Sequence, residues 1–194
     1  MDPTAAATLF AWLDREVWVV TSSHGEARGG LVSTSVNPVG ITPELPRVSV
    51  QLSKLHRTWE LVDASGVFAL HLLGEENLEL VWRFGLESAR AADKFAGLET
   101  RTAATGCPLL PGTVGWLDCQ VESRQEIGDR TVFVAAVLRG EVTRFAHPLT
   151  TSRLLELAPS SKLSEMQRQR HHDAFRDALA VRAWRGQEAA GEGE

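Results

Sequence analysis

The sequence predicts a mainly β fold closed into a barrel, with flanking helices and a helical C-terminal extension. Three observations carry that prediction. Runs rich in β-branched and aromatic residues recur through the first three quarters of the chain. Hairpin-type turns, rather than long crossover helices, separate most of them. Helical periodicity is confined to the chain start, short connections and the stretch after Pro148. The expected division is therefore residues 1–147 as one domain and 148–194 as a helical extension with a frayed tail.

In order, Asp2-Pro3 reads as a cap and first-turn proline, opening a short helix with Phe10 and Leu13 on one face. Val17 to Thr21 is a strand, Ser22 to Glu26 a turn, and Gly30 to Val36 a returning strand. Pro38, Pro43 and Pro46 predict a loop, since each removes a ladder donor. Val48 to Leu52 alternates with period two and is a third strand. A helix is expected from Thr58 to Ala64, stopped by Gly66, then a strand over 67–73. Asn77 is expected to cap a helix reaching Phe84, with a loop-rich stretch over 85–113. Gly115–Ser123 and Thr131–Leu138 read as strands joined at Ile127-Gly128-Asp129, with one more at 142–145.

The extension reads as a cationic amphipathic helix over 160–185. Ser164-x-x-Gln167 resembles a capping box, and Met166, Phe175, Leu179 and Trp184 are expected on one packed face.

The 194 residues are 43% apolar and 23% charged, which excludes a disordered or fibrous chain. A net charge of −5 without a dense basic block argues against nucleic-acid binding. No apolar run approaches the roughly 18 residues of a membrane span. An acidic start, Met1-Asp2-Pro3, is unlike a secretory signal, so the expected compartment is the cytoplasm, with Cys107 and Cys119 reduced.

Familiar catalytic motifs are absent: there is no G-x-S-x-G, Walker loop, C-x-x-C or H-E-x-x-H. His171-His172-Asp173 does not read as a metal site, because adjacent helical residues point about 100° apart and arginines lie nearby. The chemistry-bearing stretches are instead two hydroxyl-rich segments, Ser33-Thr34-Ser35 and Ser53 to Thr58. Hydroxyls, helix N-terminal N–H groups and a lysine are the donors that a phosphate monoester requires. The plainer reading of the same residues is edge-strand β-formers and helix caps.

Gly29 to Asn37, Pro46, Val48 to Leu52 and Ser53-x-x-His56-x-Thr58 together resemble the flavin reductase-like FMN-binding split β-barrel family. Gly66 to Leu73, Arg83-Phe84, Asp93 to Gly97, Gly106 to Leu110, Trp116 to Cys119 and Gly128 to Val134 follow in the family's order. The resemblance implies a homodimer binding FMN, or FAD, near its interface. Carried over by position, it implies Ser33, Thr34, Ser35 and Val36 beside the ribityl and ring. It implies Gln51, Leu52 and Ser53 at the ring edge, and Ser53, Lys54, His56 and Thr58 around the phosphate. Arg83, Phe84 and Lys94 would lie close by. Departures fall on the reductant side. Arg130 stands where the family's reductases have His, His71 where Asn is common, and the chain has no tyrosine for an aromatic tail.

The resemblance thus implies an NAD(P)H:flavin oxidoreductase, with Arg130 meeting a dinucleotide phosphate and a flavin-dependent monooxygenase as taker of the reduced flavin. The alternative is an FMN-binding electron carrier or sensor that does not turn over free NAD(P)H.

Overall fold

The computed structural model describes residues 3–87 and 93–191. The chain begins with α1 (Pro3–Ala11), whose expected cap Asp2 lies outside the described residues. The strands that follow are β1 (Trp18–His24), β2 (Ala27–Ser33), β3 (Val36–Val39) and β4 (Arg47–Ser53). Next come α2 (Arg57–Ser65), β5 (Val67–Leu72), a single 3₁₀ turn and α3 (Leu78–Gly85). Two short strands, β6 (Arg101–Thr102) and β7 (Pro108–Leu109), pair within the long connection to β8 (Gly115–Glu126) and β9 (Arg130–Val142). The chain closes with α4 (Thr151–Leu157) and α5 (Ser160–Gly191).

Seven strands form one antiparallel sheet in the order β2-β1-β5-β8-β9-β4-β3. Laid flat, seven strands would separate the two edges by about 25–30 Å. Yet β2 and β3, the two edges, are joined by only Thr34 and Ser35, a link that reaches about 10 Å at most. The sheet must therefore roll until its edges nearly meet. The seam between β2 and β3 is the split in the barrel, and Gln51 N donating to Ser35 O (3.2 Å) holds the link against β4.

Period-two alternation fills the barrel interior with Val20, Leu31, Val50, Leu52, Phe68, Leu70 and Phe133, and Val62 of α2 joins them. The opposite face of β1 packs with α3 and α4 in a second core around Val17, Val19, Leu73, Trp82, Phe84 and Leu154.

Several elements differ from the sequence expectation. The turn after β1 is confined to Gly25 and Glu26, and β2 starts three residues earlier than expected, at Ala27. Residues 36–39 form a strand despite Pro38. β3 lies at a sheet edge, where a missing N–H costs no ladder bond. α2 starts at Arg57 with His56 as its N-cap, so Thr58 sits inside the first turn rather than capping it. Val142 ends β9 instead of opening another strand. Ser164 is interior to α5, with its hydroxyl donating back to Ser160 O (3.0 Å).

Candidate functional site

A cleft of about 930 Å³ opens beside the barrel seam, within the usual range for small-molecule sites. One wall is the N-terminus of α2. His56 makes no side-chain cap bond, and Trp59 N donates to the His56 carbonyl (3.0 Å). Thr58 is buried and lines the cleft, as do Leu55, His56 and Arg57, with Thr34 from the seam. Burial lowers the His56 pKa, which favours the neutral imidazole.

The floor is apolar: Leu31 and Val32 of β2 with Val81, Trp82 and Phe84 of α3. Gly30 is required beneath it, since a Cβ there would lie 2.7 Å from the Phe84 ring. Phe95 meets Phe84 edge-on at 5.2 Å, and Arg28 covers Phe95 from 4.8 Å, so the aromatic floor is braced from behind. Lys94 crosses to the cleft and donates to Gly30 O (3.1 Å) and Phe84 O (2.9 Å). Its burial lowers its pKa to about 8.

Opposite α2 stands α5. Met166 anchors it on the second core, and Gly128 is seated under its far end. Between these anchors, Gln169, Arg170, Asp173 and Asp177 line the cleft. Arg130, the first residue of β9, pairs with Asp177 (Nη2 to Oδ2, 2.8 Å) and with Asp129 (Nε to Oδ2, 3.0 Å). Burial raises the Asp177 pKa despite Arg130.

Of the residues singled out from the sequence, Thr34, His56, Thr58, Phe84, Lys94 and Arg130 converge on this cleft. Ser33, Ser35, Val36, Gln51, Leu52 and Ser53 cluster at the seam and the neighbouring end of β4 but do not line it. Ser33 and Ser53 are buried, each hydroxyl accepting from the backbone N–H two residues on. Lys54 faces Glu126 (2.7 Å), and Arg83 donates to Ala96 O (3.0 Å). In the sequence, Asp173 stands out only as part of the rejected metal run, and Asp177 is not singled out. Their signal was phase: at about 100° per residue, 173, 177 and 184 return to within about 20° of Met166, whereas Phe175 lies about 180° away. Phe175 is accordingly 68% exposed and Leu179 50%.

A donor-rich helix N-terminus facing an aromatic floor suits a ligand with a phosphate and a flat ring, and the residues present fit a flavin. A rolled seven-stranded sheet with this cleft at its seam defines a flavin-type split barrel. The chain belongs to the flavin reductase like domain family, whose model matches residues 11–153. The reductase subunit HsaB of a flavin-dependent monooxygenase from Mycobacterium tuberculosis is 29% identical over 137 residues, covering 71% of each chain. A flavin reductase from Pseudomonas putida is 31% identical over 113 residues, 58% of this chain and 61% of that one. Among solved structures, nitrilotriacetate monooxygenase component B from Mycobacterium thermoresistibile superposes with a TM-score of 0.67 at 26% identity, covering 77% of this chain and 82% of that one. The styrene monooxygenase flavin reductase from Pseudomonas putida S12 gives 0.64 at 28%, covering 75% and 90%.

Proposed function

We propose that this chain is an NAD(P)H-dependent flavin reductase using FMN, or FAD, and serving a flavin-dependent monooxygenase. The observation that carries the reading is the pairing of an α2 N-terminus without a side-chain cap bond with the braced Trp82–Phe84 floor in one cleft. Family membership and the reductase-subunit relatives support it. A bound flavin would supply the redox chemistry, with a reduced nicotinamide as the source of the hydride.

The chain's residues then have holding roles. Thr58, Thr34 and the first-turn N–H groups of α2 receive the phosphate, with Ser53 and Lys54 next to them at the strand end. Leu31, Val32 and Phe84 carry the ring, with Ser33, Ser35, Val36, Gln51 and Leu52 framing the seam. Lys94 keeps the Gly30 and Phe84 backbones together, and Arg83 secures the following loop through Ala96. Arg130 meets the dinucleotide phosphate. None of these roles needs a general base, which agrees with the lack of any triad motif.

The same reading includes a cytoplasmic homodimer whose barrel is residues 1–147. Ile41, Leu45 and Leu138 support association: Ile41 and Leu45 lie in the β3–β4 connection and Leu138 on β9, and all three are exposed. No helix among the described residues is long and apolar enough to cross a membrane.

The deciding experiment is absorbance of the purified protein with added FMN or FAD, then NADH and NADPH oxidation. Flavin-dependent oxidation of either nicotinamide is the expected result. Flavin binding without turnover would leave a carrier, and no flavin binding would refute the reading. Sedimentation tests the dimer, which a stable 21.2 kDa species with bound flavin would contradict.

A further inference from the structure

We propose that α5 is a latched lid over the cleft, held shut by the Asp177–Arg130 ion pair and released when a phosphate-bearing ligand takes Arg130 in place of Asp177. The inference rests on the flavin-reductase reading above and adds a regulated entry step to it.

Four observations lead there. First, α5 is tied to the barrel at its two ends. Met166 packs on the core near one end, and near the other Val181 and Trp184 lie 3.2 Å from where a Cβ on Gly128 would be. Second, the stretch between lines the cleft mainly with polar and charged residues, Gln169, Arg170, Asp173, Arg176 and Asp177, with only Ala174 apolar among them. A helix that served packing alone would bury apolar side chains there.

Third, the closed arrangement is half satisfied. Asp177 Oδ2 has Arg130, but Asp177 Oδ1 is buried with no hydrogen-bond partner. A buried carboxylate oxygen without a partner disfavours the state that holds it. Fourth, Arg130 is shared by two carboxylates, Asp129 and Asp177, and Asp173 lines the same cleft. Arg57, Lys94, Arg170 and Arg176 also line the cleft and draw an anionic phosphate in, but Arg130 is open to it only when Asp177 withdraws. Arg130's planar fork is then open to two phosphate oxygens.

Closed lid and bound phosphate compete for one guanidinium, so each weakens the other to the same degree. The phosphate can come from the flavin or from the dinucleotide reductant, and the test separates them.

Hydrogen exchange of the α5 amides over 173–181 should speed up when FMN or NADH is added alone to the full-length protein. Riboflavin, which lacks the phosphate, should leave exchange unchanged. Opening by FMN alone assigns the latch to the flavin, and opening by NADH alone assigns it to the reductant. Asp177→Asn should raise the association rate of the opening ligand about fivefold and show fast exchange without ligand, with its circular dichroism unchanged. If neither phosphate ligand speeds exchange and Asp177→Asn matches wild type, the latch is wrong. If wild type binds no flavin but Asp177→Asn still exchanges faster, the lid stands and the flavin reading fails.

Discussion

Lys94 Nζ donates to the carbonyl oxygen of Phe84 across 2.9 Å, so a lysine that the chain reaches after the helix holds that helix's last turn in place. Through Gly30 O it also ties the floor of the cleft to β2. Replacing it by Met should leave two carbonyls without that partner, lower stability by about 1–3 kcal/mol and weaken flavin binding through a loosened Phe84. Its titration gives the replacement a signature. With a folded pKa of about 8, below the 10.5 of an ordinary lysine, the unfolded chain binds the extra proton between those values. The Lys94 contribution to stability then rises with pH across that window, by about 2 kcal/mol. Cys107 and Cys119, whose pKa values burial raises, oppose that gain over the same window, so urea unfolding at pH 7.5 and 10 is read as a difference. The change with pH should be about 2 kcal/mol more favourable in wild type than in Lys94→Met. Equal changes in both would remove Lys94 as a source of the gain.

Thr58 and Lys54 can be told apart by binding. Thr58 lines the cleft, whereas Lys54 is engaged with Glu126 on the strand-end surface. Thr58→Val keeps the volume and deletes the hydroxyl, so FMN affinity should fall about tenfold. Lys54→Ala should cost less than about threefold, since an exposed ion pair contributes little and must be broken before Lys54 can reach a phosphate. Fluorescence titration of both variants is the measurement. The reverse order would make Lys54 the principal phosphate partner.

His71 sets an acid limit on the fold. It is fully buried in β5, and Nδ1–H donates to Val19 O at 3.1 Å, leaving Nε2 buried without a partner beside the Trp116 strand position. Burial lowers its pKa to about 4, against 6.5 for an ordinary histidine. Between those values the unfolded state takes up a proton that the folded state refuses, so stability falls as pH drops through the window. The loss should approach about 3 kcal/mol by pH 4, with His56 adding to it in the same direction. Asp14, whose pKa its bonds to Ser152 lower to about 2, acts only further into acid. His71→Asn should flatten the stability profile between pH 6.5 and 4.5. An unchanged slope there would clear His71.

Much of the barrel could be read from the chain because two-residue alternation and hairpin turns are local signals. Val48–Leu52 and Ile127-Gly128-Asp129 declare themselves within a few residues. The seam could not be read that way. Whether Pro38 breaks a strand or sits harmlessly on one depends on which strand is the sheet edge, a property of the whole topology. The hydroxyl segments divided for a similar reason. Thr34 and Thr58 reach the cleft, but Ser33 and Ser53 turn their hydroxyls to nearby backbone. For α5 the information was present but phase-sensitive: a nine-residue step from Met166 to Phe175 crosses to the opposite face, which leaves Asp173 and Asp177 over the site.

Gly128 joins the hairpin to that helix, and its replacement tests how firmly α5 is seated. Its φ of +88° lies in the left-handed region, and Ile127 N donating to Arg130 O (2.9 Å) closes the turn around it. A side chain would be strained there on its own backbone and would press on Val181 and Trp184 at 3.2 Å. Gly128→Ala should therefore cost about 1–2 kcal/mol and displace the C-terminal half of α5. Truncation after Pro159 separates the two costs. Leu149 and Leu154 stay in the second core without α5, so the shortened chain should still fold, losing Met166 and the roof of the cleft. In that background Gly128→Ala should cost only the backbone strain, less than in the full chain by the part due to Val181 and Trp184. Steady-state kinetics add a functional reading: the KM for nicotinamide should change on truncation if α5 covers the reductant path. Chemical denaturation of all four proteins gives the cycle. An identical Gly128→Ala cost in both lengths would mean that α5 does not rest on the hairpin in solution.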